Sequence, residues 1–283
     1  MYHPVGFSME YLLIQWEIIE IDDDTMKEIE VIVSKDKEFT DIVVKRLLTD
    51  TTQSELYFDT EFNELTQYYI IVKAMDHQGS TAVLESDFIT PKKSVWSANF
   101  ITPHNPINSI ILKEFTLKNK VKSAYLSICG LGLYEAYLNN EFVNKEYLMP
   151  GYHSYDTHLQ YQTYDLKDQL TEGNNELKVL LGNGWYKGRL GFDGGFYNLY
   201  GDKLALIFEL EIEYVDGTKE IIQSDTDCVC MKSSIISNGI YDGEEIDMTI
   251  KDTSTDTVEV LDIDQSLLVP RYSLPIHIKK HIK

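Results

Sequence analysis

Apolar residues in this chain recur at alternate positions in short runs, and the runs are separated by glycine, asparagine or aspartate. Gly132-Leu-Tyr-Glu-Ala-Tyr-Leu138 alternates in this way, and Asn139-Asn140 follows it, residues that tolerate the positive φ angles of a tight hairpin. A period of two marks a strand, because successive side chains of a strand point to opposite faces. Further strands are expected at 110–117, 122–128, 159–166, 176–181, 203–214 and 218–223, the last two joined by the hairpin dipeptide Asp216-Gly217. No run of long amphipathic helices interrupts them. The fold class is therefore all-β, and two stacked antiparallel sheets forming a jelly-roll β-sandwich fit the strand count.

The first 90 residues form a separate set. Tyr11-Leu-Leu-Ile-Gln-Trp-Glu-Ile-Ile-Glu20 mixes alternation with a short apolar run, and 28–34 repeats the pattern after the acidic turn Asp22-Asp23-Asp24. Strands at 55–58, 68–74 and 82–84, with a turn at His77-Gln-Gly79, complete a second, smaller β-sandwich. Leu65-x-x-Tyr68-Tyr69 followed by Asp76-x-x-Gly79 resembles the tyrosine-corner strand of fibronectin III/Ig-like sandwiches, and Trp16 falls where a core residue between the sheets belongs. The expected organisation is a sandwich at 1–91, a connector at 92–106, the jelly roll at 107–265, and a linker or the start of a next module at 266–283. Thr102-Pro-His-Asn-Pro106 reads as loop, since proline disfavours both helix and central strand.

Charge narrows the partners. The formal net charge of −21 repels nucleic acid and anionic membrane alike. Cys129, Cys228 and Cys230 form no disulfide framework, and Cys228 and Cys230 share one face of a strand. An odd count without a pairing pattern favours a reducing compartment, and the first ten residues lack the basic start and apolar run of a signal peptide. The expected location is cytoplasmic.

Aromatic, glycine and amide residues crowd the turns between 130 and 202. Aromatic faces stack on pyranose rings, amides and carboxylates bridge hydroxyls, and glycine lets the backbone approach closely. The order of motifs is Gly130-x-Gly132-x-Tyr134-Glu135-x-Tyr137-x-Asn139, Leu148-x-Pro150-Gly151-Tyr152-x-x-Tyr155, Tyr161-x-Thr163-Tyr164-Asp165 and Gly182-x-Gly184-Trp185-Tyr186-x-Gly188-x-x-Gly191. Tyr200-Gly201-Asp202-Lys203 and Tyr241-Asp242-Gly243-Glu244 extend the series. It resembles the N-terminal region of bacterial α-L-rhamnosidases, and Val95-Trp-Ser-Ala-Asn-Phe-Ile101 is similar to the segment joining their two N-terminal modules. Asn140 stands where that family has glycine, and Tyr152 where it has tryptophan.

The resemblance implies a non-catalytic portion of a glycoside hydrolase. In that family the catalytic acids lie in a helical barrel downstream, so no catalytic residue is assigned here. The implied partners are a rhamnoside and the downstream catalytic domain of the parent chain; the alternative is a stand-alone carbohydrate-binding module for L-rhamnose. The carbohydrate-binding candidates are Asp156, Trp185, Tyr186, Asp193, Tyr197 and Asn198. No cofactor is required; Ca²⁺ is the ion the resemblance admits, with Asp156 and Asp202 as its candidate ligands. Thr157 stands where the family's Asn would be. On the residues alone, Asp156 reads first as a turn cap, ahead of ligation, and Trp185 at least as readily as a side chain packed under its loop. Glu244, Glu245, Asp242 and Asp247 read as exposed turn carboxylates, and His153 with His158 lacks the third ligand that zinc needs.

Overall fold

The computed structural model describes residues 3–19, 26–106, 109–251 and 253–279, so the acidic triplet at 22–24 lies outside the described residues. The chain divides into two compact units, with the boundary between Lys93 and Ser94.

Six strands build the first unit: β1 (Leu12–Gln15), β2 (Met26–Ser34), β3 (Ile42–Leu48), β4 (Glu55–Phe58), β5 (Gln67–Asp76) and β6 (Thr81–Ile89). β1 pairs with β4, while β3-β2-β5-β6 forms an antiparallel sheet of four. Leu12, Ile14 and Trp16 pack with Val31 and Val33 of β2 and with Tyr68 and Val72 of β5. The Tyr68 hydroxyl accepts the Asn63 backbone N–H at 2.9 Å. This ties the strand to the corner just upstream of it.

The second unit continues with β7 (Ile101–Pro103), β8 (Ile110–Leu117), β9 (Val121–Leu131), β10 (Leu133–Leu138), β11 (Glu141–Phe142), β12 (Leu159–Asp165) and β13 (Gly173–Gly182). After the helical turn α1 (Gly184–Lys187) come β14 (Ala205–Tyr214), β15 (Lys219–Gln223), β16 (Val229–Met231), β17 (Ile235–Gly239), β18 (Gly243–Ile246), β19 (Thr255–Val260) and β20 (Leu268–Pro270). One layer runs β11-β10-β13-β8-β16, the other β7-β14-β9-β12-β20 with β15 on β14. β19 joins them: Thr255–Thr257 pair with β16 and Val258–Val260 with β7. Asn139 and Asn140 take φ angles of 52° and 67°, the geometry of the expected tight hairpin.

The core lies between the layers, where Ala136, Leu138, Leu177 and Val179 meet Leu126, Ile128, Phe208 and Leu210. The opposite face of the second layer is buried as well. Cys129, Leu131, Tyr161, Ala205 and Ile207 lie with Phe100, Tyr155 and Tyr186 in a separate cluster. Burial on both faces explains the near-continuous apolar runs of β9 and β14.

Two segments read as connections are strands of this unit. β7 pairs with β19 and β14, with Pro103 as its last residue, a strand end being where a missing N–H costs little. β20 adds to β12 in parallel, and the Arg271 N–H donates to the Tyr161 carbonyl at 3.1 Å. The anchor is a buried ion pair. The Arg271 guanidinium grips Glu146 through two contacts of 2.5 and 2.9 Å, with side chains only 5% and 9% exposed. The Tyr164 hydroxyl donates to the same carboxylate at 3.3 Å, and Tyr134 donates to Gln162 at 2.7 Å beside it.

Removing one partner leaves the other charged and buried, which typically costs about 3–5 kcal/mol. Arg271→Met should therefore lower the urea midpoint strongly, whereas the Arg271→Met/Glu146→Leu double variant should recover much of the loss. Equal losses in the single and double variants would show that the charge pairing is not what holds the segment.

Candidate functional site

The aromatic residues of three segments meet on the covered face of the second layer. The turn at 150–158 supplies Tyr152, His153, Tyr155 and His158; α1 supplies Trp185 and Tyr186; the third, following the glycine-rich loop, supplies Tyr200. Tyr155 is the hub, with its ring 3.9 Å from His153, 5.1 Å from Tyr200 and 5.3 Å from Tyr186. Tyr152 reaches Trp185 edge-on at 6.0 Å, and its hydroxyl lies 3.4 Å from that of Tyr200. That contact, followed by burial and the nearby Asp156 charge, pushes the Tyr200 phenol up to about 12. Tyr272, from the segment after β20, packs against His158 at 5.5 Å and bonds its Nε2. Gln160 accepts the backbone N–H groups of Tyr272 and Ser273 at 3.0 and 3.2 Å and so fixes that segment.

Local sequence explains the loop. Gly184 has φ of +52°, and a Cβ there would collide with Leu133. Gly201 lies so close under the Tyr186 hydroxyl that any side chain would displace the ring. Asn183 locks α1 to β17, its backbone N–H donating to Asn238 Oδ1 at 2.7 Å and its side chain to the Asn238 carbonyl at 2.8 Å.

The candidate residues separate into three groups. Asp156 and Trp185 border the aromatic cluster, Asp156 being exposed and Trp185 partly so. Tyr186 belongs to the cluster but is 7% exposed, enclosed by Tyr155 and Gly201, and so presents no stacking face. Burial raises its phenol, with a contribution from Asp202. Tyr197, Asp193 and Asn198 lie along the exposed loop that follows; Asp193 and Asn198 take φ angles of 50° and 56° as turn residues. The guanidinium of nearby Arg189 forks onto Asp242 at 2.7 to 3.2 Å and lies 5.0 Å from the Tyr241 ring. Asp242 is thus an ion-pair partner that holds the β17–β18 turn, and Arg189 holds its carboxyl below the usual range.

The profile of the alpha-L-rhamnosidase N-terminal domain matches residues 119–280, more than half of the chain. The chain belongs to this family. The alpha-L-rhamnosidase of Streptomyces avermitilis is 35% identical over 185 residues, 62% of this chain and 18% of that protein. One from Formosa agariphila is 33% identical over 143 residues, 49% of this chain and 15% of that protein. The chain thus spans less than a fifth of these relatives' length. Among solved structures, native alpha-L-rhamnosidase from Aspergillus terreus superposes with a TM-score of 0.85 at 25% identity, over 95% of this chain and 34% of that one. The S. avermitilis enzyme complexed with L-rhamnose has a TM-score of 0.87 at 17% identity, over 99% of this chain and 46% of that one, a likeness of fold.

Among the described residues of this rhamnosidase N-terminal domain, no three His, Cys, Asp or Glu side chains gather at one point. Asp156 and Asp202 are both exposed. Sequence reasoning set aside His153 and His158, which stack at 5.3 Å inside the cluster, and it missed Tyr272. The His153–His158 spacing was the available signal; nothing local announces Tyr272, 114 residues from His158.

His153 is a neutral ring in this cluster. Burial first, then the facing His158, lower its pKa to about 4, against a weak opposing pull from the Gly151 backbone. An unfolded histidine titrates near 6.5. The folded state therefore binds fewer protons, and stability present above pH 6.5 is lost as pH falls towards 4, by up to about 3 kcal/mol. His153→Phe, which keeps an aromatic ring and removes the titration, should flatten the acid limb of a urea-midpoint profile between pH 7 and 4. An unchanged limb would assign the acid sensitivity elsewhere.

Proposed function

We propose that this chain is the non-catalytic N-terminal portion of an α-L-rhamnosidase-type glycoside hydrolase. It supports a catalytic domain of the parent protein and presents the Tyr152–Trp185–Tyr272 face to rhamnoside. The observation that carries the non-catalytic reading is the state of the buried carboxylates. Hydrolysis of a glycoside needs two carboxyl groups, about 5–5.5 Å apart for retention or about 6.5–9.5 Å for inversion, with one holding a proton to donate. Among the described residues of the second unit, the buried acids are Glu146 and Glu209, and both are held by fixed donors. Glu146 is gripped by Arg271, and Glu209 accepts from Ser97 and from the Ala98 N–H at 2.5 to 2.9 Å. Asp165, at the exposed end of β12, has its carboxyl raised, partial desolvation by its neighbours being the largest cause. It lies at the far end of β12 from the aromatic face, about 20 Å away along the strand.

The sugar-facing part of the reading rests on Tyr152 and Tyr272, 54% and 56% exposed, flanking partly buried rings that cannot turn away. Exposed aromatic faces with hydroxyls alongside suit the apolar face and rim of a pyranose.

The pure chain, mixed with an aryl α-L-rhamnoside, should give no turnover above the uncatalysed rate; measurable hydrolysis would overturn the non-catalytic assignment. In calorimetry with L-rhamnose, run in calcium and in EDTA, we expect weak binding near 1 mM, about −4 kcal/mol, lost in Tyr152→Ala. Binding abolished by EDTA would assign Ca²⁺ a part in it, with Asp156 and Asp202 as candidate ligands. Absence of heat in both conditions would remove sugar contact and leave the supporting role alone.

A further inference from the structure

The first unit carries a trough of about 720 Å³ that reaches down to its core. Leu12, Ile14 and Trp16, with Val72 of β5 and Phe88 of β6, line its floor and are themselves almost fully buried. Two sheet edges border it. Among the described residues, β1 has a neighbour on one side only, in a sheet of two, and β6 ends the sheet of four.

The hydrogen-bond phase of β1 follows from its register. Trp16 donates its N–H to the Ser54 carbonyl at 2.9 Å, in line with the pairs Leu12↔Phe58 and Ile14↔Leu56. Even-numbered residues therefore exchange main-chain bonds with β4, and the N–H and C=O of Leu13 and Gln15 point out of the open edge. β6 shows the same phase. Ile89 donates to the Pro4 carbonyl at 2.9 Å and accepts from the Gly6 N–H at 2.9 Å, so Asp87 and Glu85 also turn their main-chain groups outward. Among the described residues, no strand lies beside that edge on the Asp87 side of Ile89. Tyr11, Leu13 and Leu84 leave an apolar rim, 49%, 38% and 48% exposed.

An open edge beside an apolar floor is the arrangement that accepts an added strand: main-chain bonds supply affinity, and alternate side chains fill the trough. Charge selects the occupant. The charged residues in the lining are Glu17 and Asp87, with no lysine or arginine, and Asp87 is already bonded to His3 and Gln67. Glu10 and Glu17 flank β1 and are exposed. A second copy pairing edge to edge would set these glutamates against another chain of net charge −21. We propose that β1 accepts an extended segment of a different polypeptide, apolar at alternate positions and basic at its ends.

The test is amide hydrogen exchange on the full chain with the synthetic peptide Lys-Val-Thr-Val-Thr-Val-Lys. At about nine times its Kd, exchange at Leu13 and Gln15 should slow about tenfold. A peptide with glutamate ends, or with proline in place of the central valine, should not protect. Gln15→Pro deletes one outward N–H while leaving the β4 ladder whole, and should abolish protection. Glu17→Lys should weaken the basic peptide and admit the acidic one; circular dichroism of both variants checks that the fold is kept. No protection at millimolar peptide, equal protection by the acidic peptide, or concentration-dependent protection without any peptide would each overturn the proposal.

Discussion

A guanidinium near the end of the chain closes on a carboxylate 125 residues earlier, and both are out of water. Taking two such charges from solvent costs several kcal/mol each, and only good geometry with further hydrogen bonds offsets it. Here the geometry is bidentate, which arginine can supply and lysine cannot, and Tyr164 adds a third donor to Glu146. The consequence is positional. Once Arg271 is held, β20 lies along β12, Gln160 captures the two residues that follow, and Tyr272 arrives against His158. One wall of the aromatic face therefore depends on an ion pair that touches none of its exposed rings.

The second constraint is a sheet that must be covered twice. One face of β14-β9-β12 is closed by the opposing layer, and the other needs its own roof. The roof is built from loops, and loops bring polar backbone that must remain near water. Bulky aromatic residues answer both needs, since their rings bury and their hydroxyls reach out. His153, Tyr155 and Tyr186 do the covering and are buried, while Tyr152 and Tyr272 stand over them in solvent. Burial pushes the Tyr155 phenol far up and holds His153 neutral, so the inner ring layer is uncharged across the neutral range. The exposed face is shaped by what the sheet requires beneath it.

How far the sequence reveals this depends on the range of the interaction. Alternation located β8, β10, β13 and β15, where one face is buried, and Asn139-Asn140 announced its turn chemically. β3 escaped notice because Lys45 and Arg46 are adjacent in it and blur the alternation of an edge strand. β7 and β20 have three residues each, too few to show a period, and proline at 103 and 270 argued for loop. Both prolines end their strands, where no ladder donor is needed. Within the site, the sequence placed aromatic residues at Trp185 and Tyr186 without distinguishing them. The space beneath Gly201 decides that Tyr186 turns inward, and that contact spans fifteen residues of irregular loop.

Acidity also bears on where chemistry can occur. A chain of net charge −21 repels anionic ligands over its whole surface, while an uncharged polyol meets no such barrier. A general acid among so many carboxylates must still hold its proton at neutral pH, which takes burial or a close like charge. Asp165 is raised by partial desolvation, with Asp168 adding to the shift, yet its surroundings are the Lys167 N–H and a strand end rather than a ring-lined surface. Asp156, beside the aromatic cluster, is exposed to solvent. The exposed rings and the raised Asp165 carboxyl thus sit apart in this chain.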